Sequence, residues 1–229
     1  MKFTLGRRLC AEFVGTAFLL MAVVGSGVMG ERLAGGNAAI ALLANSLATA
    51  AALVALIFTF APVSGAHFNP VVTLADTFAG GLARVEVVAY WVVQLAGAVT
   101  GTVSAHFMFG LPAVTISRHA RNGAAQFYSE VAATFGLIAV ILVCSKLRSA
   151  GIPLAVGAYI GGAYWFTSST SFANPAVTVA RCITDTYAGI RPQDVAGFLL
   201  AQILGAAAAL LLFRWLVPTR ISAENGASL

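Results

Sequence analysis

The chain has 229 residues, 59% of them hydrophobic and only 9% charged, with a formal net charge of +5 at pH 7. Soluble domains carry roughly a quarter charged residues, so a water-soluble globular domain is excluded, and a mean hydropathy of +0.90 points to a bilayer. The basic residues are scattered, without the run or stripe that a nucleic-acid partner needs. Cys10, Cys144, Cys182, His67, His106 and His119 show no metal-ligand spacing; no metal, no other cofactor and no intramembrane metalloenzyme are expected.

Apolar stretches of about 20 residues, the length that crosses ~30 Å of hydrocarbon, recur along the whole chain. The first predicted span covers about 9–29. Arg7-Arg8 before it read as a membrane flank rather than a twin-arginine export signal, and no small-residue cleavage site follows, so no removable signal peptide is expected. Glu12 lies within this span, and an acid in a membrane helix is a functional candidate by default. The second span, about 37–60, carries Asn45 and Thr49 as an i, i+4 polar pair on an otherwise apolar helix; both are expected to face a polar path rather than lipid.

Next comes a half-length segment at about 68–79, opened by Ala66-His67-Phe68-Asn69-Pro70-Val71-Val72-Thr73. Proline suits the first turn of a helix, and asparagine before it is a good N-cap. The sequence therefore predicts a short helix of ~15 Å, half a bilayer, that starts inside the membrane. The third span, about 85–109, holds Gly97 and Gly101, a small-xxx-small pair for close helix contact.

The fourth span, about 128–147, carries Glu130, and the fifth, about 152–170, holds Gly157 and Gly161. The second Asn-Pro segment, Ser171-Phe172-Ala173-Asn174-Pro175-Ala176-Val177-Thr178, opens a half-length element at about 173–187. The sixth span covers about 194–216. A polar tail at 218–229 is expected to be disordered.

The second half echoes the first. Glu12-Phe13-Val14-Gly15-Thr16 matches Glu130-Val131-Ala132-Ala133-Thr134; Asp76 to Gly80 matches Asp185 to Gly189; Gln94-Leu95-Ala96-Gly97 matches Gln202-Ile203-Leu204-Gly205. The repeats run over about 5–110 and 123–217 of a single transmembrane domain (1–229). Three spans per half, an odd number, force the second half to enter from the opposite face, an inverted repeat. The two Asn-Pro tips then meet near the midplane, where irregular backbone is tolerated only if buried or lining a water-filled path. With the N-terminus inside, eight basic residues (Lys2, Arg7, Arg8, Arg84, Lys146, Arg148, Arg214, Arg220) face the cytoplasm and five (Arg32, Arg118, Arg121, Arg181, Arg191) face out, so both termini are expected to be cytoplasmic. Glu12 and Glu130 are read as accepting hydrogen bonds from the re-entrant loops in preference to carrying protons. Asp76 and Asp185 are read as structural ion pairs with Arg84 and Arg191.

These paired Asn-Pro motifs, Glu12-xx-Gly15-Thr16 and the inverted halves resemble the aquaporin and aquaglyceroporin family over about residues 5–217. The resemblance implies an all-α membrane protein with six transmembrane helices and two re-entrant half-helices. It also implies a non-enzymatic channel per subunit in a homotetramer, passing water or small neutral solutes across the inner (plasma) membrane. Its pore motifs fall on Asn69, Pro70, Val71, Asn174, Pro175 and Ala176, with Val71 where the family usually has alanine. Its filter positions carry over by spacing to Thr49, Gly162, Ser171 and Val177. The family usually has arginine at the last of these. A small hydroxyl, a glycine and a valine imply a wider, less polar filter for glycerol, urea or metalloid hydroxides such as arsenous acid, and the run from Thr178 to Gln202 resembles bacterial members associated with arsenic handling. Arg181 shares a helix face with Asn174 and Val177, at i, i+3 and i+7, and either reaches back to the filter or pairs with Asp185 or lipid headgroups. A water-selective pore and a secondary transporter with broken helices are the competing readings.

Overall fold

The computed structural model describes residues 3–217; Lys2, Arg220 and the predicted tail at 218–229 lie outside the described residues. The described residues form eight α-helices: α1 Leu5–Leu33, α2 Ala38–Ser64, α3 Pro70–Phe78, α4 Val87–Met108, α5 Ala124–Leu147, α6 Ile152–Phe166, α7 Pro175–Ala180 and α8 Pro192–Leu216. α1, α2, α4, α5 and α8 are long and apolar enough to cross a bilayer. α6 has 15 residues, about 22 Å at the helical rise.

Several ends differ from the sequence reading, each for a local reason. α2 runs through Pro62, whose ring removes one helical N–H, and stops where Gly65 turns left-handed (φ 94°) and donates to Ala61. α6 ends four residues early because Thr167 swings to extended backbone (φ −114°, ψ 138°), feeding the second re-entrant loop. α7 stops at Ala180, a single 3-10 turn follows over Arg181–Ile183, and Thr184 leaves it extended.

Packing follows the small residues. α1 lies against α4 and α2, α5 against α8, and α2 against α6. A Cβ on Gly97 would sit 2.4 Å from Phe13 O, and one on Gly101 2.1 Å from Ala17 O, so the α1–α4 crossing exists only with glycine there. Gly205 plays the same part against Val131 O (2.4 Å), and Gly157 against Val54 and Ala50 on α2. This is backbone-to-backbone packing of the kind that holds helices together in lipid. Both half-helices are wedged between α4 and α8, and their starts face each other in the centre of the bundle.

Candidate functional site

Asn69 and Asn174 cap the half-helices: Asn69 Oδ1 accepts from Val71 N (3.1 Å), and Asn174 Oδ1 accepts from Ala176 N and Val177 N (3.0 and 3.3 Å). Pro70 and Pro175 stand in the first turn of each helix, where no N–H is missed. The side-chain amides then cross between the halves. Asn69 Nδ2 donates to Ala173 O (2.7 Å) and Asn174 Nδ2 donates to Phe68 O (2.8 Å). Each amide carries two N–H donors and spends one on the other loop's backbone.

The loops leading in are strained. Ala66 and Phe68 have φ of 50° and 49°, and Ser171 and Ala173 of 50° and 46°, a left-handed conformation that non-glycine residues adopt at a cost of about 1–2 kcal/mol each. Buried carboxyl groups hold them there. Glu12 accepts from His67 N, Phe68 N, Ser64 Oγ and Gln94 Nε2 at 2.7–2.9 Å. Glu130 accepts from Phe172 N, Ala173 N and Gln202 Nε2 over the same range. Gln94 and Gln202 each donate also to a half-helix hydroxyl, Thr73 and Thr178 (2.9 Å). Each acid thus ties a loop to the helices beside it. The backbone N–H groups turn toward the acids, while the carbonyl oxygens of Ala66, His67, Ser171 and Phe172 receive no hydrogen bond among the described residues.

Beside these loops runs a cavity of about 460 Å³, lined by Asn69 and Asn174 and by residues from both halves. Because the half-helices meet at their starts, the residues toward their far ends mark opposite mouths. His67 and Asp76 lie toward one mouth (Nε2 to Oδ2, 3.5 Å) and Arg181 toward the other. Thr49, Ser171 and Val177 all line it, and the Ser171 hydroxyl is buried without a partner.

Gly162 does not line it. That glycine lies exposed on the opposite face of α6, with open space where a Cβ would stand. The cavity side of α6 is the 156, 160, 164 row, and Tyr164 supplies the wall, its hydroxyl 3.3 Å from Thr49 Oγ1. Counting back along the chain lands on the wrong face because the irregular stretch between Thr167 and Asn174 fixes no helical register; the i, i+4 apolar row of α6 was the available signal. Asn45 also departs from expectation: it is buried and ties α2 to α1 through Val23 O and Ser26 Oγ (both 2.8 Å). Val71, Pro70, Pro175 and Ala176 stand behind the wall, with Val71 and Ala176 in the apolar core.

Arg181 is fully enclosed by protein and cavity, 2% exposed. Its Nε donates to Ala188 O, its guanidinium carbon lies 3.4 Å from the centroid of the Phe172 ring, and its terminal nitrogens bond to no described residue. It does not pair with Asp185, which accepts instead from Arg118 N (2.9 Å). Arg191 pairs with Asp194 (2.8 Å) rather than with Asp185, and Asp76 faces His67, so the sequence-based ion pairs are replaced by local ones. Sequence reading passed over Arg121 as well. Its guanidinium binds the carbonyls of Gly189 (2.7 Å), Ser169 and Tyr187, and it lies 5.0 Å from the Phe172 ring. Burial lowers its pKa, and nearby Glu130 opposes the shift. His106 fastens the same mouth, bridging Pro112 O (2.8 Å) and Thr184 Oγ1 (2.7 Å).

A family model described as Major intrinsic protein matches residues 1–167. The chain is 50% identical over 220 residues to the aquaglyceroporin AqpS of Rhizobium meliloti (strain 1021), covering 96% of this chain and 94% of that one. It is 30% identical to the probable aquaporin AqpM of Archaeoglobus fulgidus, covering 94% of this chain and 99% of that one. The fold matches the X-ray structure of the aquaglyceroporin from Plasmodium falciparum with a TM-score of 0.71 at 19% identity, over 92% of this chain and 96% of that one.

Proposed function

The chain belongs to the major intrinsic protein family of membrane channels, passive and not enzymatic, and from that premise we propose a pore for uncharged hydroxylated solutes larger than water: glycerol, urea and arsenous acid, with water alongside. The observation that carries this reading is the two-sided cavity wall. Val177, the Phe172 ring and the Tyr164 ring offer apolar surface, while the Arg181 guanidinium and the Ser171 and Thr49 hydroxyls offer polar contacts. A polyol has a C–H edge and a hydroxyl edge and satisfies both sides at once. A metalloid hydroxide presents donors to the loop carbonyls and oxygens to Arg181.

At the midplane the remaining N–H donors of Asn69 and Asn174 turn a solute oxygen toward themselves. That orientation breaks a proton-conducting water chain. Cations meet an arginine and amide donors with no carbonyl ring to replace their hydration. Anions lose their water against apolar side chains at a prohibitive cost. Arg181 in this scheme supplies the filter donor from one turn beyond Val177, and Glu12 and Glu130 keep the loops in their strained shape. The same reading takes the assembly as a homotetramer in the inner membrane with both termini cytoplasmic, in keeping with the eight-to-five distribution of basic residues.

The test is uptake of labelled glycerol and of arsenous acid into proteoliposomes at neutral pH, beside an ionic control such as potassium. Both neutral solutes are expected to enter many times faster than into empty vesicles, without dependence on a proton gradient, while the cation does not. Glycerol uptake at the empty-vesicle rate, or uptake that collapses with the proton gradient, overturns the reading.

A further inference from the structure

A second cavity, about 210 Å³, lies away from the pore where the end of α3 meets the C-terminal ends of α5 and α8. Its walls are apolar (Leu142, Val143, Leu210, Phe213), and two cations, Lys146 and Arg214, stand on it with no acidic residue among its lining. Lys146 Nζ donates to Val217 O (2.6 Å), and Arg214 Nη2 donates to Phe78 O (2.7 Å), with its guanidinium 5.9 Å from the Phe78 ring. These bonds hold both side chains in place and use one donor of each. An ammonium has three and a guanidinium five, so most of the donors remain unspent on the described protein.

We propose that this cavity seats the headgroup of an anionic phospholipid, its phosphate between Lys146 and Arg214. Charge complementarity selects the anion, since two cations with no carboxylate beside them are an electrostatic vacancy at the membrane surface. The surroundings select a lipid over a soluble phosphate. The cavity opens beside Leu147, Leu211 and Trp215, which are 54%, 73% and 77% exposed, so acyl chains would run down an apolar surface from the site. An exposed tryptophan is also the residue that favours the headgroup level. The volume suits the phosphate and glycerol portion alone. The simpler role, two cations capping the carbonyl ends of α3 and α8, is compatible with the bonds seen but leaves the apolar recess and the spare donors without a purpose.

Native mass spectrometry of the full-length protein, equilibrated with equal phosphatidylglycerol and phosphatidylcholine, tests the site. Wild-type protein is expected to retain phosphatidylglycerol in preference. Lys146→Gln, a change at an exposed side chain, is expected to cut that retention about fivefold, the loss of one basic contact to an anionic headgroup. Lys146→Gln combined with Arg214→Gln is expected to abolish the preference. Arg84→Gln, an exposed basic residue outside the cavity, is expected to leave it unchanged. Equal retention by wild type and Lys146→Gln overturns the proposal, as does an equal loss in Arg84→Gln, which would mark surface charge alone. Displacement of the lipid by an equal concentration of inorganic phosphate overturns the lipid assignment. The Lys146→Gln protein serves as the foldable variant should Arg214→Gln fail to fold, because only Arg214 holds the end of α3.

Discussion

Thr49 and Tyr164 form a hydroxyl pair across the cavity from two helices that are far apart in the chain, and the aromatic ring narrows what a glycine would have left open. Tyr164→Ala is expected to raise the permeability to bulky polyols such as erythritol severalfold over its effect on water, read as re-swelling rates in proteoliposomes. Tyr164→Phe, which keeps the ring, is expected to change them little. Arg181→Ala removes the guanidinium from the wall and is expected to shift the glycerol-to-water permeability ratio without loss of folded protein; an unchanged ratio would place Arg181 outside the filter. Glu130 is a different case, because its three donors have nowhere else to go. Leaving buried donors unpaired costs about 1–3 kcal/mol each, so Glu130→Ala is expected to destabilise by at least about 3 kcal/mol, seen as a large drop in the detergent unfolding midpoint. At this scale the sequence was informative where chemistry is local. An asparagine before a proline caps the helix it starts, and a lone acid in an apolar helix needs donors. Tyr164 was hidden because its place in the wall depends on the facing of α6, which no count from Asn174 supplies.

At the scale of elements, the glycine rows determine which helices touch. A Cβ at position 101 would lie 2.1 Å from Ala17 O, and backbone cannot yield as a side chain can. Gly101→Leu is therefore expected to separate α1 from α4 and yield little folded protein, measured as the monodisperse fraction after extraction. Gly162→Ala, facing open space, is expected to be neutral in the same assay. The small-xxx-small spacing made these contacts legible in advance. The shortness of α6 and α7 was not legible, for a physical reason. The stretch from Thr167 to Ala173 is apolar and hydroxylated like the spans around it, and Thr170, Ser171 and Ala173 carry left-handed backbone without glycine. That conformation is imposed by Arg121, Glu130 and the opposing Asn69, groups distant in sequence, so no local pattern announces it.

Over the whole molecule, the same set of bonds appears twice: an acid under each loop, a glutamine from α4 or α8, a threonine on the half-helix, and an asparagine crossing to the other half. The paired arrangement leaves one polar seam through an otherwise apolar bundle, and the long cavity follows it. The duplicated motifs pointed to that seam, but the crosswise Asn69–Ala173 and Asn174–Phe68 bonds that lock the halves together became visible only in three dimensions. The central claim is that this seam conducts neutral solutes larger than water. Stopped-flow light scattering on proteoliposomes exposed to a hyperosmotic step of glycerol tests it most directly. The account predicts fast shrinkage as water leaves, then re-swelling many times faster than in empty vesicles as glycerol enters. Fast shrinkage with re-swelling no faster than the lipid allows would contradict it and mark a water-selective pore.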